Sequence, residues 1–440
     1  MRIPSSAEFN APGHWFTSYP SLNHWSESFR HSDYVEALTQ FTDPLHLYLH
    51  IPFCKKLCSY CICNVVISSD REKIQFFLDH LLKEIDLLKP FEPDIQDIHF
   101  GGGTPSHLDR KQFAQLCSKL DELTDIRSLK EVAMEIDPRT VNQDDLKHYA
   151  SFGVNRISFG IQDYDLRVQE AINRVQPPEL IDELLEVRHL FRGVNFDLLY
   201  GLPLQTRQTL RNTVSRVLKQ RPDRITLLKY CHAPEIRKHM KLINVTDLPS
   251  PENLPMMFCE TAESLMEAGY LWIGLDHFCL PSDSLSKKVG RTFNGFTSGT
   301  NEMIGLGPTT TGVFGRTYCQ STYDLHDYYN SINKGEFPIH RGYRMTDDDM
   351  KRRRVIFSLL CNHKVIVDPF YFEKELNQLW SRPELCEVWG NEITVTDYGR
   401  ILLRNICKVF DNKDVLPEHD KIAQKTITRK IKLEDHRVFG

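Results

Sequence analysis

Between Leu45 and Tyr230 the sequence alternates between short apolar runs, rich in β-branched and aromatic residues, and longer segments with the periodicity of amphipathic helices. Six such runs occur, and a helical pattern separates each consecutive pair. Repeated strand–helix units form parallel sheets, because each helix returns the chain to the starting edge and packs on the sheet. We therefore predict an α/β fold built on a partial (β/α)6 barrel of parallel strands. The runs lie in the segments LHLYLHI, DIQDIHFGGG, EVAMEIDP, NRISFGIQ, VNFDLLYG and DRITLLKY.

The helical pattern after the first strand is a long one, DREKIQFFLDHLLKEIDLLKP. Its apolar residues recur every three or four positions, which predicts a helix with one buried face. The residues expected on that face are Phe76, Phe77, Leu81, Leu82 and Ile85.

After about residue 245 the alternation stops. The segment LPSPENLPMMF is punctuated by prolines, and helical patterns follow in CETAESLMEAGY and in residues 347–357. The segment NEITVTDYGRILLRNICKVF predicts a short strand pair or turn that leads into a helix, whereas the C-terminal KTITRKIKLEDHRVFG has no clear period. We divide the chain into an N-terminal extension (1–43), a (β/α) core (44–245) and a mainly helical C-terminal domain with a small β element and a mobile tail (246–440).

Charge and composition argue against several classes of partner. The formal net charge is −5 and no half of the chain is strongly basic, which disfavours nucleic acid and anionic membranes. The N-terminus lacks the apolar run of a secretory signal, and no segment has the roughly 20 apolar residues of a membrane span. We therefore expect a cytoplasmic protein whose cysteines are reduced.

The first strand leads directly into a loop with four of the twelve cysteines, namely Cys54, Cys58, Cys61 and Cys63. This loop is polar and contains two lysines, so packing is a poor explanation for its thiols. The other eight cysteines are scattered singly, and for most of them we predict burial as a small apolar residue. The loop also lies at the carboxyl end of a strand, the edge that carries the chemistry of βα barrels.

The spacing C-x3-C-x2-C-x-C bears on what the loop could bind. Structural zinc usually takes ligands from two separate knuckles, and no second Cys/His knuckle stands out. Plant-type ferredoxins have a longer first gap, and a disulfide is disfavoured by the compartment. A third arrangement remains, in which three cysteines hold three irons of a four-iron cluster. The fourth iron would then be open to a small molecule, to which the reduced cluster could donate an electron.

The segment CKKLCSYC, with an aromatic residue before its third cysteine, resembles the CxxxCxΦC signature of the radical S-adenosylmethionine (SAM) superfamily. The longer phrase YLHIPFCKKLCSYC is more specific and resembles the oxygen-independent coproporphyrinogen III oxidases. Further similar segments follow in the family's order from about residue 10 to residue 410, nearly the whole chain. They are FTSYPS, GGGTPSHL, EIDPR, GIQDYDLRVQEAINRVQ, DLLYGLP, IGLDHF and VTDYGRILLRNI.

This resemblance implies a radical SAM barrel with two kinds of cofactor. A [4Fe–4S] cluster would bind Cys54, Cys58 and Cys61, SAM would bind the open iron, and the family has a second SAM molecule. Reductive cleavage of SAM would give methionine and a 5′-deoxyadenosyl radical, which removes a hydrogen atom from the β-carbon of a propionate. Loss of an electron and of carbon dioxide then leaves a vinyl group. Two such cycles convert coproporphyrinogen III to protoporphyrinogen IX in haem biosynthesis.

The same resemblance bears on partners and on the remaining catalytic machinery. The cofactors perform the hard step, so no acid–base pair or nucleophilic triad is required. A one-electron donor such as flavodoxin or ferredoxin is implied, and we expect a monomer.

The resemblance also implies a set of residues around the two SAM molecules. Glu135 would accept hydrogen bonds from SAM, glycines would let the backbone approach its amino-acid moiety, and the ring of Tyr60 would pack near adenine. The residues at matching positions are Tyr48, Tyr60, Gly102, Gly103, Thr104, Glu135, Gln162, Arg174, Asp197, Cys231 and Thr311.

Some positions near the cluster loop and the N-terminus depart from the family pattern. Tyr60 replaces a phenylalanine, and Ile62 replaces the glycine before the fourth cysteine. That cysteine, Cys63, is retained, and we interpret it as a non-ligand. Trp15 stands where the family has an arginine.

Three further departures surround the second SAM position. Asn294 replaces a glutamine, Thr311 an isoleucine and Cys231 an alanine. The changed pocket keeps open a relative with other chemistry, such as methyl transfer, cyclopropanation or anaerobic haem breakdown. A non-catalytic haem-binding or haem-delivery protein is a second alternative. The retained FTSYP and C-terminal segments favour the decarboxylase, and Cys63 counts against the delivery protein, whose subfamily lacks this cysteine.

Substrate carboxylates require cations. The run Lys351–Arg354 is one candidate, although a solvated helix face is the better interpretation. His277, in GLDHF, is a candidate substrate contact. His50 and His99 end strands, and we expect them to satisfy hydrogen bonds within the barrel.

Overall fold

The computed structural model describes residues 1–11, 16–287, 292–293, 297–298 and 302–413, so Trp15, Asn294 and the C-terminal tail lie outside the described residues. The strands are β1 (Leu45–Ile51), β2 (Phe53–Cys54), β3 (Val66–Ile67), β4 (Ile95–Gly102), β5 (Glu131–Ile136), β6 (Arg156–Gln162), β7 (Gly193–Tyr200), β8 (Arg224–Lys229), β9 (Leu271–Gly274), β10 (His277–Cys279), β11 (Thr292–Phe293), β12 (Thr297–Ser298), β13 (Met303–Leu306), β14 (Thr311–Phe314), β15 (Thr317–Ser321), β16 (Ile339–Arg344), β17 (Lys364–Ile366), β18 (Cys386–Trp389) and β19 (Glu392–Val395).

The helices are α1 (Ser6–Phe9), α2 (His31–Thr39), α3 (Arg71–Leu88), α4 (Arg110–Leu120), α5 (Gln143–Ser151), α6 (Leu166–Ala171), α7 (Pro178–Leu185), α8 (Arg207–Gln220), α9 (Asn253–Glu267), α10 (Leu325–Asn333), α11 (Asp347–Asn362), α12 (Glu373–Trp380), α13 (Asp397–Ile401) and α14 (Leu403–Val409). None of these helices combines the length and the apolar character that crossing a membrane requires.

Twelve strands form one sheet in the order β16-β15-β14-β13-β1-β4-β5-β6-β7-β8-β10-β9. The seven neighbours from β13 to β8 are all parallel. The six predicted strands are β1 and β4 to β8, each separated from the next by at least one helix. The predicted α/β class and the parallel (β/α) core are therefore confirmed.

The main sheet also includes strands from beyond residue 245, which the sequence did not predict. β13 pairs in parallel with β1, from His46 opposite Met303 to Leu49 opposite Leu306. β14, β15 and β16 continue this side of the sheet in antiparallel order, while β10 and β9 extend the β8 side. Runs as short as MIGL and TGVF carry too little periodicity to be assigned. The parallel partner of MIGL, β1, is also remote in sequence. The domain limits themselves stay a prediction.

The helix predicted after β1 is α3, and most of its predicted buried face is confirmed. Phe77, Leu81 and Ile85 are fully buried, and Leu82 is half-buried. Phe76 was predicted to be buried, but its side chain is 51% exposed. It packs edge-on against Tyr329 at the surface, with ring centroids 4.9 Å apart.

Residues 347–413 form the helical region with a small β element that the sequence predicted. Helices α11 to α14 pack with the three-stranded sheet β17-β19-β18 around a second hydrophobic cluster. Phe16 and Tyr19, from the N-terminal extension, are buried in this same cluster. The Tyr19 hydroxyl donates to Asn412 Oδ1 at 2.8 Å, so the N-terminal extension packs against the end of the described chain.

Most of the eight scattered cysteines are buried, as predicted. Cys231 alone among them is exposed. The buried ones are Cys117, Cys259, Cys279, Cys319, Cys361, Cys386 and Cys407.

A buried carboxyl group joins α3 to the strand extension after β13. Glu84 accepts hydrogen bonds from the Gly307 N–H at 2.8 Å and from the Tyr328 hydroxyl at 2.6 Å. Burial raises the pKa of Glu84 to about 7. The folded protein therefore keeps a proton that the unfolded chain releases at lower pH. The free energy of unfolding should fall as the pH rises from the ordinary glutamate range to about 7, by on the order of 1–3 kcal/mol.

The variant Glu84→Gln isolates this contribution, because its amide stays neutral at every pH. We expect the variant to gain stability relative to the native chain between about pH 5 and about pH 8. Denaturant unfolding of both proteins across that range measures the difference. A difference that does not change with pH would contradict the assignment.

Candidate active site

The four-cysteine loop lies between β1 and α3, at the carboxyl edge of the parallel strands. β2 and β3 pair in parallel at its base and fix where the loop leaves and rejoins the fold. The turn after β4 packs beneath it, with the Gly103 N–H donating to Ile51 O at 2.8 Å. A Cβ at Gly103 would lie 2.7 Å from Pro52 O, so this position requires glycine. The Thr104 hydroxyl contacts Cys54 Sγ at 3.2 Å.

Two arginines converge on Cys58, Arg139 from the turn after β5 and Arg174 from the segment after α6. Arg139 Nη2 and Arg174 Nη1 each donate to Cys58 Sγ at 3.6 Å. Asp137 accepts from both guanidinium groups, at 2.7 Å from Arg139 and 3.4 Å from Arg174. Although burial opposes it, these arginines hold the pKa of Asp137 below its usual value. The two guanidinium groups therefore place positive charge directly beside the Cys58 sulfur.

The remaining two cysteines of the loop share a hydrogen bond. That bond from Cys63 is the main reason why the pKa of Cys61 is lowered to about 7. The same bond, together with the charge of Cys61, raises the pKa of Cys63. Burial raises the pKa of Cys54 to about 12. His239 Nε2 and Arg237 Nε bind the loop carbonyls of Cys61 and Ile62, at 2.8 and 2.7 Å.

The donor set suits a multi-iron cluster better than a single ion. In the described part of the chain, the one group of three or more ligand atoms within 4.8 Å of one another is Asp324, His326 and Asp327, far from this loop in sequence. The sulfurs of Cys54, Cys58 and Cys61 are thus too far apart to surround one zinc ion. Three spaced thiol ligands on one loop fit a cluster that uses one sulfur per iron.

Glu135 lies near the end of β5, beside the glycine turn. His99 Nε2 contacts its Oε1 at 3.1 Å, and the Gly102 N–H donates to its Oε2 at 3.3 Å. The Tyr48 ring stacks on His99 with centroids 5.7 Å apart. A Cβ at Gly101 would lie 2.7 Å from both Glu135 Oε1 and the Tyr48 ring. The Glu135 side chain is still 40% exposed, so it is held in position and can accept a ligand's hydrogen bonds.

Gln162 and Arg174 meet over Gly160 at the end of β6. A Cβ at Gly160 would lie 2.8 Å from Gln162 Nε2 and 2.9 Å from Arg174 Nη2, which explains the glycine. Gln162 has a φ of 64° at an irregularity in the pairing of β6 with β7. Arg174 Nη2 also donates to Gly160 O at 2.8 Å. Tyr60 packs nearby, against the cluster that contains Val168 and Ile172.

Asp197, on β7, is the second carboxylate on this face. Its Oδ2 accepts from Ser158 Oγ at 2.8 Å and its Oδ1 from Asn195 Nδ2 at 2.9 Å. Burial raises the pKa of Asp197, and the nearby Glu135 charge raises it further. The two carboxylates are therefore close enough for the charge of Glu135 to act on Asp197.

Comparisons with known proteins agree with this geometry. The profile of the Radical SAM superfamily matches residues 48–217. Oxygen-independent coproporphyrinogen III oxidase of Escherichia coli (strain K12) is 36% identical over 427 residues, which cover 92% of this chain and 93% of that protein. The chain belongs to the family of oxygen-independent coproporphyrinogen III oxidases.

Two more relatives support this family membership. The oxidase of Pseudomonas aeruginosa is 36% identical over 432 residues, covering 92% of this chain and 94% of the relative. The solved structure of coproporphyrinogen III oxidase from Escherichia coli, a radical SAM enzyme, matches with a TM-score of 0.85 and 34% identity. It covers 90% of this chain and 97% of that structure. As a family member, the chain uses a [4Fe–4S] cluster and SAM.

Three of the predicted site residues, Cys231, Thr311 and His277, lie on or beside other strands of the sheet. Thr311 lies on β14 and Cys231 follows β8, so they flank opposite margins of the parallel strands. His277 lies on β10, is buried, and contacts Asp276 at 2.9 Å. Their roles toward SAM or substrate stay predictions, as does the role of Asn294, which the described residues do not include.

Two groups at the site escaped sequence reasoning. Arg139 and Asp137 belong to the EIDPR segment and contact Cys58 or its arginine partner. The sequence did contain a signal for Arg139 and Asp137, because both are charged residues placed immediately after a predicted strand, the position of catalytic groups in βα folds.

The two histidines behave as predicted. His99 contacts Glu135, and His50 Nε2 contacts Asn64 O at 3.3 Å, so both histidines make the hydrogen bonds expected of them.

The basic run Lys351–Arg354 is only partly solvated. Lys351 and Arg354 are exposed, as a solvated face predicts. Arg352 pairs with Asp348 and Glu375, at 2.9 and 2.8 Å. Arg353 was expected on the same face, but it is buried and donates to the Tyr318 hydroxyl at 2.9 Å. Arg353 is buried because α11 packs against the main sheet, which covers that side of the helix.

Proposed function

We propose that this chain catalyses the oxidative decarboxylation of two propionate side chains of coproporphyrinogen III to vinyl groups, giving protoporphyrinogen IX. The observation that carries the proposal is identity of 36% with the Escherichia coli oxidase across nearly the full length of both chains. The convergence of three cysteines, two arginines and two carboxylates at one sheet edge supports it independently.

The chain's own residues position and shield the reaction. When bound, the cluster and SAM together supply a radical that removes a hydrogen atom from the substrate. Cys54, Cys58 and Cys61 would hold three irons and leave the fourth open. The half-buried Tyr60 would exclude water from the adenine side of SAM.

The carboxylates and the glycine turn would hold SAM. Glu135, fixed by His99 and the Gly102 N–H, would accept the hydrogen bonds of the SAM amino-acid moiety. Gln162, Arg174 and Asp197 would complete the polar wall, and Cys231 and Thr311 would line a second SAM position. Proton transfer by an acid–base pair has no part in this scheme.

The partners and location follow from the same proposal. The electron would come from a flavodoxin or ferredoxin, and the enzyme would work as a cytoplasmic monomer without nucleic acid or membrane partners. The net charge of −5 and the twelve free cysteines support that setting. The catalytic core would be residues 44–245, flanked by the N-terminal extension (1–43) and the C-terminal domain (246–440).

Mass spectrometry under anaerobic, reducing conditions tests the function. The reconstituted enzyme, given SAM and coproporphyrinogen III, should release two molecules of carbon dioxide and form two vinyl groups per porphyrinogen. Formation of S-adenosylhomocysteine with the propionates intact would identify a methyl-transferring relative instead. Porphyrin binding without any cleavage of SAM would favour a haem-delivery protein.

A further inference from the structure

A polar cavity opens directly beside the cysteine loop. Its volume is about 410 Å³, and it lies between the loop, the turn after β4 and the residues that follow β5. Lys55, which follows Cys54 in the chain, forms one wall, and Arg139 forms another. Arg139 also donates to Cys58 Sγ, so one side chain spans from the cavity to a cluster ligand. The cavity is therefore separated from the cluster position by a single layer of residues.

The lining of this cavity carries four cations and two carboxylates, Asp109 and Asp145, so its charge is net positive although the chain as a whole carries a net charge of −5. Arg110 is paired with Asp145 at 2.8 Å, and Arg139 with Asp137 at 2.7 Å. The other two cations, Lys55 and Arg71, are exposed and form no ion pair with any described residue.

Both of these exposed cations, Lys55 and Arg71, influence the same residue, His107. Arg71 Nη1 donates to the His107 carbonyl at 2.7 Å, a contact that leaves its charge uncompensated. Burial lowers the pKa of His107, and the charges of Arg71 and Lys55 lower it further. The opening beside the cysteine loop thus presents two free positive charges that face a common neighbour.

We propose that this basic cavity is the docking surface for an acidic one-electron carrier protein, which reduces the cluster from this side. The inference rests on the proposed function, because a radical SAM enzyme must receive an electron from outside for every SAM molecule that it cleaves. The carrier loses one electron and the cluster gains it, with no bond made or broken. Carboxylates at the carrier's rim would meet Lys55 and Arg71, and the electron would enter past Arg139 at Cys58.

Charge complementarity favours a carrier protein over a small anion. Opposite charges on two surfaces raise the association rate and orient the partners, and both effects weaken with salt. Lys55 and Arg71 are both exposed, so the carboxylates of a protein partner can reach them. The surface lies next to Cys54 and Cys58, a position that suits electron transfer to the cluster.

The test compares two charge-reversed holoenzymes. Lys55→Glu with Arg71→Glu changes the proposed surface, and Lys219→Glu with Lys374→Glu is the matched control, since these lysines are exposed and lie elsewhere. The cluster is reduced either by reduced flavodoxin or by reduced methyl viologen, and its absorbance and electron paramagnetic resonance signal report the rate. Iron content verifies that each variant keeps its cluster.

We expect reduction of the first variant by flavodoxin to slow about tenfold or more at low salt, with the difference shrinking as salt is added. Reduction by methyl viologen, a cation, should not slow, and the control should behave like the native enzyme. The single variant Lys55→Gln should show a smaller loss in the same direction.

Three results would overturn the proposal. They are an unchanged flavodoxin rate in the first variant, an equal loss in the control, and an equal loss with methyl viologen. Calorimetric binding of inorganic phosphate at the cavity, together with an unchanged flavodoxin rate, would assign it to small anions instead. Because the readout is cluster reduction, the result does not depend on whether coproporphyrinogen III is decarboxylated.

Discussion

Replacing Cys54, Cys58 or Cys61 with alanine is expected to remove the four-iron centre and, with it, all cleavage of SAM. In the proposed assignment these three thiolates hold three irons, so each substitution would leave only two ligands. Two arginines donate to Cys58, and the pKa of Cys61 is lowered to about 7 by its hydrogen bond from Cys63. Iron and sulfide analysis of the reconstituted variants, with absorption spectra, measures the loss.

Cys63→Ala is the matched control on the same loop. We expect this variant to keep a full complement of iron, because Cys63 is interpreted as a non-ligand that hydrogen-bonds to Cys61. It should fold as well as the native chain, since the residue is exposed. Loss of the cluster from the Cys63 variant would refute the assignment of three ligands.

The second large effect is expected at Glu135. Glu135→Ala should weaken SAM binding roughly tenfold or more while leaving the cluster intact, because a hydrogen bond to a charged group contributes about 1.5–3 kcal/mol. The carboxylate is held by His99 and the Gly102 N–H, yet stays 40% exposed toward the site. Calorimetry with the anaerobic, cluster-loaded protein gives the dissociation constant.

Glu170→Ala serves as the control for Glu135, since it removes an exposed carboxylate on α6, away from the glycine turn. Its SAM affinity should equal that of the native enzyme. Equal affinities for the Glu135 variant and the native chain would remove Glu135 from the site, and an equal loss in both variants would point to a general electrostatic effect.

The sequence by itself determined the core of the fold and the place of its chemistry. Six strands could be predicted because each is an apolar run and a helical pattern separates each consecutive pair. Both patterns are local in the sequence. Parallel strands then bring their carboxyl ends to one edge, so the loop with Cys54, Cys58 and Cys61 and the strand end at Glu135 had to lie together. The spacing of the cysteines, together with its resemblance to the radical SAM signature, predicted a [4Fe–4S] cluster and SAM, because such a motif is a local property of the sequence.

Only the tertiary structure decided which distant groups complete the site and the sheet. The pairing of β13 with β1 joins residues more than 250 positions apart, and no local pattern encodes such a partner. Arg139 and Arg174 meet at Cys58 only because β5 and β6 are adjacent in the sheet. Phe76 is exposed and Arg353 is buried because each depends on what packs opposite its helix. Long-range packing sets such details, since the free energy of burial depends on the neighbours that the fold supplies rather than on the residue alone.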